Sequence, residues 1–122
     1  MTKSRISTNR ILLGVLGVSS QSSKILREWN RMFRDEKIDG SMDRYPCTAA
    51  TLPERLSEML HFDRRGYIIT PALQQPILPL MDILHASAKK RGAVDTVVND
   101  GGVLTGHWTG DTDERRRELW FS

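Results

Sequence analysis

A continuous apolar run, Ile-Leu-Leu-Gly-Val-Leu-Gly at residues 11–17, is the feature that most constrains the fold. An unbroken run of this kind is typical of a strand that is covered on both faces of its sheet. The next segment supplies a covering helix, because apolar residues recur there with helical spacing at Ile25, Trp29 and Phe33. The run therefore predicts an α/β protein.

The start of the chain also bears on where the protein resides. Lys3, Arg5 and Arg10 precede the apolar run and small residues follow it, which mimics a short secretory signal. We favour a disordered basic leader at residues 1–10 and a buried first strand, since the helix that follows needs a sheet to pack against. The single cysteine, Cys47, excludes an intrachain disulfide and fits a reducing cytoplasm. No apolar run reaches the ~18 residues of a membrane span.

Helix, strand and turn signals divide the remaining chain into further elements. In chain order they are a helix N-capped by Ser22 or Ser23, a turn at Asp39-Gly40, a strand through Met42, Tyr45 and Cys47, a helix opened by the Thr51-Leu-Pro-Glu54 capping box, a strand at 67–70, a helix at 74–91 stopped by Gly92, a hairpin of strands at 94–99 and 103–108, and a last helix capped by Asp111. The order β-α-β-α-β-α-β-β-α predicts one α/β layered domain over residues 11–122 with a mixed sheet.

Charge and ligand patterns argue against two classes of function. The net charge of +3 is mild, and the basic clusters at 89–91 and 115–117 lack the interleaved aromatic residues of a nucleic-acid surface. His61, His85 and His107 have no spacing that would bring two of them onto one helix face. We therefore expect no nucleic-acid partner and no metal.

Gly14-Val-Leu-Gly17 and the serines after it join the first strand to the first helix, where a phosphate-binding loop would lie. The chain contains neither G-x-G-x-x-G nor a Gly-Lys-Ser/Thr sequence. Two interpretations stay open, which are plain helix capping and contact with an anion such as a carboxylate at the helix N-terminus.

Four stretches of the chain match the motifs of one known family, in order and with matching spacers. They are Gly14-Val-Leu-Gly17 with the helix through Asn30 and Phe33, Gly66-Tyr-Ile-Ile-Thr70-Pro-Ala-Leu-Gln74 with Leu78-Pro79-Leu80-Met-Asp82, Gly92-Ala-Val-Asp95-Thr96-Val-Val-Asn99, and Gly106-His-Trp-Thr109-Gly110-Asp111. Over about residues 11–111 the chain resembles the N-terminal, substrate-binding domain of shikimate dehydrogenases. The resemblance implies a three-layer fold with a mixed, mainly parallel sheet flanked by helices.

The resemblance also implies a reaction, the reversible oxidation of a ring hydroxyl of shikimate with NADP as the hydride acceptor. In the family a second, Rossmann-type domain binds NADP, and we expect it to be absent from a chain that stops at Ser122. No cofactor is then expected within this chain, and NADP only where a partner domain supplies the site. An excised domain and a free-standing relative both fit the sequence.

The resemblance places the family's catalytic Lys at Gln74 and its partner Asp at Gly110. An amide has no proton to exchange near neutral pH, so Gln74 can orient a hydroxyl but cannot act as an acid or base. Asp111 lies one residue beyond the lost carboxylate and could replace it only through a local insertion. We therefore expect no catalysis by this chain alone.

The resemblance further indicates a half-changed binding site for a small polyol or hydroxy acid such as shikimate or quinate. Thr70 and Thr109 match the family, whereas Asp95 stands where the family has Asn. The candidate binding residues are Ser22, Ser23, Thr70, Gln74, Asp95 and Thr109. A drifted pocket stays open as an alternative, in which Asp95 caps a turn.

Association with another chain is the last expectation. A domain whose family relatives pack against a second domain retains an apolar face, and Leu119, Trp120 and Phe121 add to it. The sequence thus predicts a homodimer or a separate NADP-binding subunit that completes the site. A purely structural or interaction role is a third hypothesis.

Overall fold

The computed structural model describes residues 10–60 and 64–121, which form a six-stranded sheet with helices on both faces. The elements are β1 (Ile11–Leu16), α1 (Ser22–Asp35), β2 (Gly40–Tyr45), α2 (Leu52–Leu60), β3 (Gly66–Ile69), two short 3₁₀ turns (Pro71–Leu73 and Leu78–Leu80), β4 (Ile83–Leu84), α3 (Ala86–Arg91), β5 (Thr96–Asp100), β6 (Val103–His107) and α4 (Asp113–Phe121). His61 and nearly all of the predicted leader at 1–10 lie outside the described residues.

The sheet is mixed, with the strand order β2-β1-β3-β5-β6-β4. β1 pairs in parallel with β2 and β3, and β4 pairs in parallel with β6. β5 is antiparallel to both β3 and β6, and the second of these pairings is the predicted hairpin. The predicted α/β class and the mixed, mainly parallel sheet are confirmed.

Alternation along β1 divides the core into two clusters on opposite faces of the sheet. Leu13 and Val15 belong to the cluster under α1 and α4, where Trp29 meets Trp120 edge-on with ring centroids 5.4 Å apart. Leu16 belongs to the other cluster, which α2 covers with its three buried apolar side chains. The continuous apolar run is explained, because each face of β1 is buried against helices.

The apolar end of the chain is part of the core, which corrects the expectation of an exposed face there. Trp120 is buried, and its indole N–H donates to the Val97 carbonyl at 3.2 Å. Phe121 packs against Trp29 and Phe33. α4 has only nine residues, so its sequence pattern does not show which of its faces packs on the sheet.

The helix predicted at 74–91 is wrong, since only its last third is helical. Two 3₁₀ turns and the short strand β4 precede α3. Pro79 has no N–H to continue a helical ladder and obstructs the preceding turn. The Asp82 carboxylate accepts a hydrogen bond from the Leu104 amide at 2.8 Å, which holds the chain extended beside β6. Gly92 does end α3 in the left-handed region, with φ of +74°, as predicted.

Three predicted caps and turns also need correction. The N-cap of α1 is Gln21, and Ser22 is already the first helical residue, because the Ser19 hydroxyl takes the Gln21 amide and the Ser19 carbonyl takes the Ser22 amide. Gly40 begins β2 and does not form a turn. Asp111 does not cap α4, which begins two residues later. Within the described ranges, no helix is long and apolar enough to cross a membrane.

Candidate functional site

A cleft of about 330 Å³ opens at the carboxyl end of β3. One wall is the start of α1, the floor is the end of β3, and the opposite wall is the segment that leads into α4. In α/β sheets, ligands bind preferentially at the carboxyl ends of parallel strands. The polar residues of its lining are Ser19, Gln21, Lys24, Glu28, Thr70, Asp111, Asp113 and Arg116.

The floor is built by a close approach between β1 and β3. Gly17 has φ of +106°, and a Cβ there would lie 1.9 Å from the Thr70 hydroxyl oxygen. Thr70 is buried, and its hydroxyl and amide both donate to the Leu16 carbonyl, at 2.9 and 3.0 Å. The Thr70 hydroxyl therefore already donates its proton, and it can only accept a hydrogen bond from a ligand.

The serine hydroxyl groups at the start of α1 have different surroundings. Ser22 is buried, and its hydroxyl has no hydrogen-bond partner among the described residues. The Ser23 hydroxyl accepts from the Arg44 guanidinium at 2.6 Å. Ser19, which is not among the residues that the sequence predicts, lines the cleft.

Asp95 lies behind the cleft and is fully buried. Its two carboxylate oxygens accept from the amides of Thr109 and Asp111, both at 2.8 Å, and from the hydroxyls of Thr96 and Thr109 at 3.0–3.1 Å. The carboxylate therefore fixes the loop at 109–111, and these protein donors occupy it.

Arg116 also lines the cleft, although its place in the basic run at 115–117 does not indicate this. Its buried guanidinium donates through Nε to Thr96 Oγ1, through Nη1 to Asp113, and through Nη2 to Asp111 and to the Asp95 carbonyl. The available signal was the i, i+3 pairing with Asp113 at the start of a helix. Arg116 thus ties α4 to the loop at 109–111.

The two positions assigned to the family's catalytic pair carry no titrating group. The Gln74 side-chain amide donates to the Ile69 carbonyl at 3.0 Å. Gly110 is exposed with φ of +73°, and a Cβ there would meet nothing within 4 Å. Of the eight residues considered from the sequence, the cleft brings together Thr70 and Asp111, whereas Asp95 and Thr109 lie behind its wall.

A second polar cluster contains two histidines that the sequence did not bring together. The rings of His85 and His107 stack with centroids 4.6 Å apart. His85 Nδ1 accepts from the Ser87 amide and so caps α3. Burial and the neighbouring His85 lower the pKa of His107. Within 10–60 and 64–121, no group of three or more His, Cys, Asp or Glu side chains could hold a metal ion.

Comparisons with known proteins agree on one family. No protein-family model matches the sequence. The chain is 30% identical over 105 residues to the shikimate dehydrogenase (NADP(+)) of Alkaliphilus metalliredigens, an alignment that covers 86% of this chain and 37% of that protein. Its structure is similar to that of shikimate 5-dehydrogenase from Listeria monocytogenes in complex with shikimate and NAD, with a TM-score of 0.78, 28% identity, and coverage of 94% of this chain and 40% of the other.

A third similarity is to quinate dehydrogenase from Corynebacterium glutamicum in complex with NAD, with a TM-score of 0.71, 30% identity, and coverage of 81% and 38%. In each comparison the chain spans well under half the length of the relative. The order of the four motifs, the mixed sheet and these similarities lead to one conclusion. The chain belongs to the shikimate dehydrogenase family and corresponds to a segment of its longer members.

Proposed function

We propose that this chain is a substrate-binding unit of the shikimate dehydrogenase type, which binds a small hydroxyl-rich molecule in the cleft at the end of β3. The observation that carries the proposal is the cleft itself, about 330 Å³ in volume. Its lining includes Ser19 and Thr70, from two of the four segments that carry the family resemblance. Hydroxyl, amide and charged groups converge there on one concave surface, as in small-molecule sites generally.

We further propose that the chain alone does not catalyse the family's reaction. The Gln74 carboxamide does not exchange a proton near neutral pH and Gly110 has no side chain, whereas positioned proton transfer typically contributes ~10²–10⁴ in rate. Asp111 is a poor substitute, because its carboxylate already accepts from Arg116 at 2.8 Å. The cleft can then orient a hydroxyl group without removing its proton.

Calorimetric titration with shikimate, quinate and dehydroshikimate tests the binding proposal. Gln21→Trp should block the mouth of the cleft and weaken binding at least tenfold, since Gln21 lines the cleft and makes no side-chain cap bond. Gln75→Trp is the matched control, because Gln75 is equally exposed but outside the lining. If neither these three compounds nor an uncharged cyclic polyol such as inositol produces heat or shifts the melting temperature, the proposal is wrong.

A second candidate function is the substrate-binding half of an enzyme whose NADP-binding domain is supplied separately. It is favoured by the lengths of the relatives, of which the chain matches 37% and 40%, and by the NADP(+) in the name of one of them. Residues 11–122 would then act as one domain in the cytoplasm. Mixing the chain with candidate NADP-binding partners and following NADPH absorbance tests this proposal, and silence with every partner argues against it.

A homodimer is the remaining proposal on assembly. Ile83 and Val103 are exposed, and both lie on the same face of the sheet because Ile83 pairs with Thr105. Exposed apolar side chains that share a face suit association with a second copy. Light scattering over a range of concentrations should show a dimer, and a monomer at the highest concentration would contradict this.

A further inference from the structure

The cleft has an acidic wall, which bears on the class of ligand that it accepts. Three acidic side chains, Glu28, Asp111 and Asp113, line it against two basic ones, Lys24 and Arg116. The buried carboxylate of Asp95 adds a further negative charge directly behind the wall, where it accepts from the Asp111 amide. The three carboxylates outnumber the two basic groups, which leaves the lining with a net negative charge.

Arg116 offsets part of this charge, but its N–H groups are not free to bind a ligand carboxylate at two points. A guanidinium has five N–H groups, and grips a carboxylate by presenting two of them in parallel. Arg116 donates through Nε to Thr96, through one Nη1 proton to Asp113, and through both Nη2 protons to Asp111 and the Asp95 carbonyl. At most one N–H remains, so Arg116 cannot form the two-point contact.

The start of α1 offers an anion only part of the donors of a free helix N-terminus. The amides of Gln21 and Ser22 already donate to the hydroxyl and the carbonyl of Ser19. The Ser23 hydroxyl accepts from Arg44 and points to that side chain. Lys24 contributes a positive charge to the lining, and the Arg44 guanidinium lies outside the lining, against Ser23. Anion capture at a helix N-terminus needs free amides, and here two of them are occupied.

We infer that the cleft selects ring polyols that carry no carboxylate, either uncharged or bearing an amine, over hydroxy acids of the shikimate kind. Hydroxyl and ammonium groups donate hydrogen bonds to the carboxylates of Glu28, Asp111 and Asp113. A ligand carboxylate faces like charges at close range in a partly desolvated cleft. The inference rests on the proposed function, because it specifies the ligand of the same site.

The test compares shikimate with its carboxamide, which keeps the ring and its hydroxyls but removes the charge, and includes inositol as an uncharged cyclitol. Calorimetry at neutral pH and low salt should show the carboxamide binding at least tenfold more tightly than shikimate. Glu28→Gln removes one acidic group from the wall and should narrow this ratio severalfold. Glu54→Gln, on the first turn of α2 and outside the lining, should leave the ratio unchanged.

The outcomes separate the two claims. If shikimate binds as tightly as its carboxamide, or more tightly, this inference is overturned while the proposed binding function stands. If neither compound nor inositol binds, both claims fall. A tenfold preference that Glu28→Gln does not change would assign the selection to something other than the acidic wall and would also overturn the inference.

Discussion

Replacing Asp95 by Asn, the residue that the family resemblance places there, tests whether this side chain holds the cleft wall. Asp95 is fully buried, and each of its carboxylate oxygens accepts a backbone amide at 2.8 Å, from Thr109 and from Asp111. An asparagine has only one acceptor oxygen. Its NH₂ group would therefore face one of these two amide protons.

The expected change in the free energy of unfolding follows from the loss of this acceptor oxygen. One hydrogen bond to a charged group, worth ~1.5–3 kcal/mol, is removed, and the bonds that remain weaken because the acceptor becomes neutral. The Asp111 amide is nearer the solvent than the Thr109 amide and can be rehydrated, which limits the cost. We expect the free energy of unfolding to fall by about 2–3 kcal/mol. For a chain of 122 residues, this corresponds to about 8–12 °C in melting temperature.

Urea denaturation followed by tryptophan fluorescence, together with thermal melts, measures the change in both quantities. Asp100→Asn is the matched control, since Asp100 is exposed in the hairpin and its replacement should change stability by less than ~0.5 kcal/mol. If Asp95→Asn is as stable as the wild type, the carboxylate does not organise the loop at 109–111. Asp95 would then be available for a ligand, contrary to the geometry.

Three further predictions concern the floor, the core and the second cluster. Gly17→Ala should lower the free energy of unfolding by about 2–4 kcal/mol, because its methyl group would lie 1.9 Å from the Thr70 hydroxyl at a φ of +106°; a loss below ~1 kcal/mol in urea denaturation would contradict the close approach. Trp120→Phe should cost about 2–3 kcal/mol in the same assay, since it removes core volume and leaves the Val97 carbonyl without its indole donor. The pKa of His107 is lowered in the folded state, so the unfolded chain binds the proton first as pH falls, and stability should decrease from about pH 6.5 downward through the folded pKa. His107→Gln should flatten that part of the profile, and an unchanged slope would show that another group titrates there.

The fold was predictable wherever periodicity and turn chemistry acted locally. The apolar run at 11–17, the hairpin at Asp100-Gly101-Gly102 and the stop at Gly92 all occur where the sequence placed them. The helix predicted at 74–91 failed because its apolar spacing fits two short turns and a strand equally well. The decisive contact, Asp82 with the Leu104 amide, joins residues far apart in the chain. Such tertiary contacts override local propensity.

The sequence indicated where the candidate cleft lies but not which contacts its side chains make. The family motifs located the cleft through Thr70 and the segment at 109–111. Burial and partner choice then separated residues that look equivalent in the sequence. The Ser23 hydroxyl accepts a hydrogen bond from Arg44. Arg116 is buried, whereas Arg115 in the same basic run is exposed. The contact of Ser23 with Arg44 has no signature within a few residues of sequence, and the i, i+3 spacing of Asp113 and Arg116 indicates an ion pair without indicating its burial.

Asp95 and Arg116 stabilise each other's burial, and their contacts also hold the acidic side chains of the cleft wall. A fully buried carboxylate without a nearby positive charge would be costly, and so would a buried guanidinium without acceptors. Here Arg116 reaches the Asp95 carbonyl and shares the Thr96 hydroxyl with the Asp95 carboxylate, so each side chain stabilises the burial of the other. The same guanidinium draws Asp111 and Asp113 to the cleft wall. Asp95→Asn should therefore alter both the stability of the wall and the charge that a ligand meets, through one connected set of hydrogen bonds.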